Sequence, residues 1–294
     1  MRVDGVVGRW YPYVELTRLN RPIGTWLLLW PTWWALFLAA GGWPGWDLML
    51  VFSLGTLFMR SAGCAINDYA DRDFDRHVKR TQDRPLTSGR LSPKAALWTV
   101  VVLTSCAALL LLALPMSTWP WAVLAALIAG TYPLTKRMFA MPQVYLGVAF
   151  SMRIPMAYVA IQGDVSGQAG WLMLANLCWT VAYDTEYAMV DRDDDLKLGL
   201  KTSAITLGRW DVLGVGVCYA LALAILAWVG ASAGLQHAYW LGLLVAALIA
   251  TRHMTWIRSR ERGPCFKAFL HNTWLGCAVF VGLALEYFLN GIMQ

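Results

Sequence analysis

The segments Asn67-Asp68-Tyr69-Ala70-Asp71-Arg72-Asp73-Phe74-Asp75 and Tyr187-Ala188-Met189-Val190-Asp191-Arg192-Asp193-Asp194-Asp195 share a core, D-R-D-x-D, at an offset of 120 residues. Each follows directly on a long apolar segment. Carboxylates this dense at a membrane edge are costly unless a cation neutralises them, which makes them functional candidates. At about 3.6 residues per helical turn, Asn67, Asp71 and Asp75 keep to one face. Asp68 falls beside Asp75, and Asp73 points away. In the second segment Tyr187, Asp191 and Asp195 repeat the spacing, Asp184 lies between Asp191 and Asp195 in angle, and Asp193 points away.

Rows of oxygen ligands suit a hard cation such as Mg²⁺, which takes one or two carboxylates together with phosphate oxygens and water. The candidate metal ligands are thus Asn67, Asp68, Asp71, Asp75, Asp184, Asp191 and Asp195. Two such rows facing each other would hold several Mg²⁺ ions around one diphosphate; without metal, converging carboxylates would repel strongly. Two other readings stand beside this one. The acids are solvated loop charges, or they belong to a cation transporter. A repeated motif with matched helical faces argues against the first, and acids clustered at one membrane face with none at the midplane argue against the second.

Basic, polar tails follow both motifs, Arg80 to Arg90 and Lys197 to Ser203. Arg and Lys beside a metal–carboxylate site make charge-assisted contacts to phosphate oxygens. The same residues also read as ordinary membrane-orienting charges.

The elements that carry these rows are membrane helices. The chain is 58% hydrophobic and 14% charged, with 17 Trp, where a soluble domain carries about 25% charged residues. That composition predicts a polytopic, all-α membrane protein, and its basic balance reflects membrane orientation and not nucleic acid. Nine apolar stretches reach the roughly 20 residues a bilayer core requires: 21–40, 46–66, 95–114, 117–134, 142–162, 169–187, 211–230, 237–256 and 269–289. All 24 Lys and Arg except Arg60 and Arg153 lie in alternate loops or at their bordering helix ends. This asymmetry predicts a cytoplasmic N-terminus, a C-terminus outside, and polar chemistry on the cytoplasmic face. Four spans separate the two motifs, so both rows begin at the same face. Residues 1–20 read as polar, with no apolar core of their own, and no cleaved signal peptide is expected. The six cysteines lack metal-ligand or disulfide spacing, and Cys64 reads as a small core residue.

At the acidic rows the chain resembles the UbiA family of intramembrane prenyltransferases, which carries N-x₃-D-x₃-D after its second helix and D-x₃-D after its sixth. Asn67, Asp71 and Asp75 match the first pattern, Asp191 and Asp195 the second. The similarity extends over nearly the whole chain. Leu19 to Pro31 and Ala182 to Asp195 are most similar to the family's bacterial branch that prenylates 4-hydroxybenzoate. The menaquinone and haem branches are the neighbouring alternatives. Arg153 departs from the family, which has a small residue there.

The resemblance implies one domain over 1–294: nine transmembrane helices around a central cavity open to the cytoplasmic face and laterally to lipid. Two repeats (about 21–134 and 142–256) and a final helix would build it. It implies transfer of a polyprenyl group from polyprenyl diphosphate to the ring carbon ortho to the hydroxyl of 4-hydroxybenzoate, in ubiquinone biosynthesis, at the bacterial inner membrane. Mg²⁺ is the implied cofactor, membrane lipid the implied surroundings, and Asp71 and Asp191 the implied catalytic residues, with Asp191 a candidate base for the phenol. Lys136 and Arg137 follow Tyr132 as basic residues follow a Tyr in the family, and these three with Tyr187 are candidates for substrate contact. For the aromatic carboxylate, Arg21 and Arg72 are the candidates, with Arg21 read also as an interfacial anchor.

Overall fold

The computed structural model describes residues 6–76 and 81–291, apart from the side chains of Val6, Val7, Phe74, Pro133, Leu134, Lys136 and Arg137. Its helices are α1 (Val6–Leu16), α2 (Ile23–Ala40), α3 (Trp46–Asp75), α4 (Pro93–Leu110), α5 (Trp119–Met138), α6 (Pro142–Ser151), α7 (Arg153–Gln162), α8 (Gly167–Lys197), α9 (Ser203–Leu207), α10 (Asp211–Ser232), α11 (His237–Ile257) and α12 (Arg262–Leu289). Among the described residues there is no strand. Among the described residues, seven helical stretches are long and apolar enough to cross a membrane: Ile23–Ala40, Trp46–Asp73, Pro93–Ala113, Pro142–Gln162, Ser203–Ser232, His237–Ile257 and Arg262–Leu289. The expected spans at 117–134 and 169–187 correspond to α5 and α8, which are not among the seven. The second half of α8 carries Asp184, Glu186 and the whole acidic motif, which lowers its apolar character.

The chain divides into two compact units, residues 1–26 with 51–114, and residues 27–50 with 115–294. In the first unit, the N-terminal segment that reads as polar contains helix α1. Leu16, at its end, is fully buried in a cluster with Ala65, Leu86, Leu91 and Ala96, with Tyr13 and Tyr69 packed against it. The apolar side chains of α1 are too few and too short a run to register as a span, but they suffice to dock one helical face. The helix α4 starts where Ser92 accepts from the Ala95 N–H and Pro93 fills the first turn, a strong start signal. The helix α3 continues through the first acidic motif without a break and ends at Asp75. Cys64 is buried, at 6% exposure.

In the second unit, the fifth apolar stretch is two helices, broken at Met152. Pro155 has no N–H to give the carbonyl of Ser151, four residues back and the last residue of α6. Arg153 stands at the break: its Nη2 donates to the Phe150 carbonyl at 2.5 Å and its Nε to Thr32 Oγ1 at 3.0 Å. The charge that departs from the family pattern is thus held at the break itself. Helices α11 and α12 touch through glycine. A Cβ on Gly242 would lie 2.5 Å from the Ala278 carbonyl and 2.9 Å from the Gly282 Cα, an approach only small residues permit.

A buried polar network fixes α8 among its neighbours. Glu186 is fully buried, and Tyr219 of α10 donates to its Oε1 at 2.8 Å. Asn272 of α12 donates through Nδ2 to Glu186 Oε2 at 2.8 Å and to the Ala268 carbonyl at 3.0 Å. Its Oδ1 accepts from Trp179 Nε1 at 2.9 Å. The Tyr219 hydroxyl is also 2.9 Å from His253 Nδ1 of α11, and His253 Nε2 is 3.0 Å from His271 Nδ1. Buried polar groups this well satisfied set a helix's rotation as well as its depth.

Candidate active site

The first acidic row stands on α3, in the first unit. Asp68 is 2% exposed, and both its oxygens lie 2.8 Å from Arg18 Nη2. Arg84 Nη1 reaches Asp68 Oδ1 at 3.0 Å and Asp75 Oδ2 at 2.7 Å, spanning the two carboxylates. One guanidinium touching both acids places them on the same helical face. Thr81 Oγ1 donates to the Asp75 carbonyl at 3.0 Å and holds the chain after α3. Burial pushes the Asp75 carboxyl above its ordinary value, while Arg84 pulls it back down. Asp71 is half-buried and Asp73 is 67% exposed.

Asn67 differs from its neighbours. Its Oδ1 is buried with no hydrogen-bond partner. A buried acceptor without a donor is costly unless something electropositive meets it. An orphaned oxygen in a row with Asp71 and Asp75 is the donor set a hard cation takes, so these residues fit Mg²⁺. Among the described residues no three His, Cys, Asp or Glu side chains are gathered into one metal-binding group. Asp68, expected to ligate metal, instead has both oxygens engaged by arginine.

The two arginines expected at the acceptor carboxylate are placed differently. Arg21 is exposed in the turn before α2. Arg72 donates to the Tyr69 carbonyl at 2.7 Å, lies over the Tyr69 ring at 4.7 Å, and is 3.7 Å from Asp73. Arg60 is the arginine on the row's own face. It lies seven residues, two helical turns, before Asn67. Its Nε is buried with no hydrogen-bond partner. The guanidinium lies so close to α2 that a Cβ on Gly24 would be 2.4 Å from Nη2.

The second row stands on α8, in the second unit. Asp191 is 8% exposed, whereas Asp184 and Asp195 are half-buried. Tyr187 packs on Phe269 and Phe266 of α12, with centroids at 4.7 and 6.4 Å. The remaining charges of this motif turn elsewhere. Arg192 approaches the fully buried Asp211 at 3.4 Å, and Arg260 holds Asp211 at 2.7 Å. Arg262 pairs with Asp194 at 3.0 Å, and Asp193 is 75% exposed. In the tail after α8, Ser203 is buried between Thr185, at 2.7 Å, and Gln143, whose Oε1 accepts from the Ser203 N–H at 2.9 Å. That part of the tail is structural. Tyr132 is half-buried on α5, and the side chains of Lys136 and Arg137 lie outside the described residues.

Sequence reasoning missed Arg18, Arg60 and Glu186. Arg60 and Glu186 carried a signal, since each is a charge within an apolar span. Arg18 carried none, because it sits in the polar segment whose folding the apolar pattern did not announce.

The model of the UbiA prenyltransferase family matches residues 28–276. The chain is 57% identical over 278 residues to the 4-hydroxybenzoate octaprenyltransferase of Janthinobacterium sp. (strain Marseille), covering 95% of this chain and 98% of that one. It is 56% identical over 280 residues to the enzyme of the same name from Dechloromonas aromatica (strain RCB), covering 95% of each. The apo structure of a UbiA homologue from Aeropyrum pernix K1 superposes with a TM-score of 0.81 at 23% identity, covering 90% of this chain and 98% of that one. A UbiA homologue from Archaeoglobus fulgidus, solved bound to GPP and Mg²⁺, gives 0.71 at 16% identity over 94% and 99%. These two likenesses bear on the fold alone. With matched residues running across most of its helices, this chain belongs to the UbiA prenyltransferase family.

Proposed function

We propose that the chain transfers a polyprenyl group from polyprenyl diphosphate to the carbon ortho to the hydroxyl of 4-hydroxybenzoate, as a step of ubiquinone biosynthesis. The donor takes its length from the relatives' name, an octaprenyl group. The observation that carries the chemistry is the row on α3, where Asn67 offers an orphaned buried oxygen in line with Asp71 and Asp75. The acceptor rests on the two named relatives. In this reading both rows serve one diphosphate, and the active-site cavity is open to the cytoplasm and to lipid. Nine spans build it, as two repeats and a last helix, in the bacterial inner membrane with the N-terminus in the cytoplasm.

Asn67, Asp71, Asp75, Asp184, Asp191 and Asp195 would hold Mg²⁺. When bound, the ion supplies positive charge that stabilises the departing diphosphate. The allylic C–O bond breaks and its electron pair leaves with the diphosphate. A carbon–carbon bond forms between the allylic carbon and the ring, and the ring proton departs. Aromatic faces such as Tyr187 and Phe269 suit the developing allylic cation. Arg60 orients the acceptor, since its unpartnered Nε suits a carboxylate. Lys136 and Arg137 remain candidates for the diphosphate and Tyr132 for the substrate pocket. Asp191 is the candidate base for the phenol, whose deprotonation activates the ring.

The test is an assay of membranes bearing the protein with labelled 4-hydroxybenzoate and geranyl diphosphate. Prenylated product that requires Mg²⁺ supports the reading. Product only with a naphthoate acceptor moves the chain to another branch, and cation flux in proteoliposomes without product makes it a transporter.

A further inference from the structure

We infer that Arg84 and a divalent cation compete for Asp75, and that Arg84, once displaced, remains tied to Asp68 and serves the diphosphate. This rests on the reading above that Asp75 holds a cation. Asp68 then anchors an arginine and is not itself a metal ligand.

The charge arrangement carries the inference. Arg18, Arg84, Asp68 and Asp75 form a four-member group of net zero charge, closed by contacts of 2.7 to 3.0 Å. Both oxygens of Asp68 are taken by Arg18, and Oδ1 also accepts from Arg84. Little of that carboxylate is left for a metal. Asp75 meets one arginine, Arg84 through Oδ2, with a side-chain hydrogen bond from Thr81 beside it, whereas Asp68 meets two arginines. A cation at Asp75 repels the neighbouring guanidinium. Released from Asp75, Arg84 keeps only Asp68, which Arg18 already neutralises. The group then carries an unbalanced positive charge, and an anion with several oxygens is its natural partner. The backbone that carries Arg84 is pinned on both sides, by Thr81 on the Asp75 carbonyl and by Leu86 in the apolar cluster. The exchange therefore needs only side-chain motion. Cation and diphosphate would strengthen each other's binding, as linkage requires.

The test uses the purified full-length protein in detergent and reads free Mn²⁺ by electron paramagnetic resonance, with and without inorganic pyrophosphate. Wild type should bind Mn²⁺ weakly alone and about tenfold more tightly with pyrophosphate, within the usual range of coupling between sites. Arg84→Gln should bind Mn²⁺ alone more tightly than wild type and lose most of the gain from pyrophosphate. Asp68→Asn should keep Mn²⁺ binding and lose that gain as well. Weaker or equal Mn²⁺ binding by Arg84→Gln overturns the competition. Loss of Mn²⁺ binding in Asp68→Asn makes Asp68 a ligand and overturns the anchor. Should Arg84→Gln fail to fold, Arg84→Lys and Asp68→Asn decide by the same two measurements. Asp75→Asn separates the premises: unchanged Mn²⁺ binding there sinks the cation reading of Asp75 itself.

Discussion

Asn272 Nδ2 donates to Glu186 Oε2 at 2.8 Å, with both side chains fully buried. Its carboxamide orientation is forced, because the same nitrogen donates to the Ala268 carbonyl and the oxygen accepts from Trp179. Asn272→Leu would strand Glu186 Oε2 and the Trp179 indole N–H, while Tyr219 still donates to Glu186 Oε1. The expected cost is about 1–3 kcal/mol for each stranded group. Thermal unfolding in detergent should show a clearly lower midpoint. An unchanged midpoint would mean that the network does not hold α8.

Gly24 and Arg60 give a second prediction. A methyl group at Gly24 would sit 2.4 Å from the Arg60 Nη2, so the guanidinium must move. Gly24→Ala and Arg60→Ala should both raise the apparent KM for 4-hydroxybenzoate and leave that for the prenyl diphosphate nearly unchanged. For Arg60→Ala the rise should be that of a lost charge-assisted hydrogen bond, roughly ten- to a hundredfold. Arg21→Ala should change little, because Arg21 is exposed before α2. Steady-state kinetics with each substrate varied in turn decides, and an equal effect on both substrates would make Arg60 a packing residue.

The acidic rows divide by exposure. Asp75 and Asp191 are 7% and 8% exposed, whereas Asp73 and Asp193 have side chains 67% and 75% exposed. Alanine at Asp71, Asp75, Asp191 or Asp195 should abolish turnover, while Asp73→Ala and Asp193→Ala should retain most of it. Activity per folded protein, with folding checked by size-exclusion chromatography, measures this. Equal loss at all six positions would contradict the helical-face argument.

Much of this was legible beforehand because membrane helices and helical faces leave periodic traces. Seven of the nine apolar runs coincide with described helices long and apolar enough to cross a membrane, and the spacing of Asn67, Asp71 and Asp75 marked one face of a helix that continues to Asp75. What stayed hidden depends on contacts distant in sequence. Nothing local announces that Arg18 would turn from a polar N-terminal segment to Asp68, fifty residues away. The break at Met152 was hidden for another reason: Pro155 is tolerated within many membrane helices, and the contacts of Arg153 with the Phe150 carbonyl and with Thr32 on α2 are not legible in the local sequence. Arg60 was visible as a charge within a span, but its closeness to Gly24 was not.

Topology is testable on its own. The basic loops predict that reporter fusions near Ser88 behave as cytoplasmic and fusions at Gln294 as periplasmic. A cytoplasmic signal at Gln294 would remove one of the nine spans proposed above.

The central claim is a carbon–carbon bond made ortho to the phenol. Its most direct test is mass spectrometry of the product formed from geranyl diphosphate and 4-hydroxybenzoate deuterated at both positions ortho to the hydroxyl. The product should form only with Mg²⁺, should have lost a single deuterium and should keep a free phenol. A product retaining both deuterons, as a phenyl ether or ester would, or no product with active-site carboxylates intact, would contradict it.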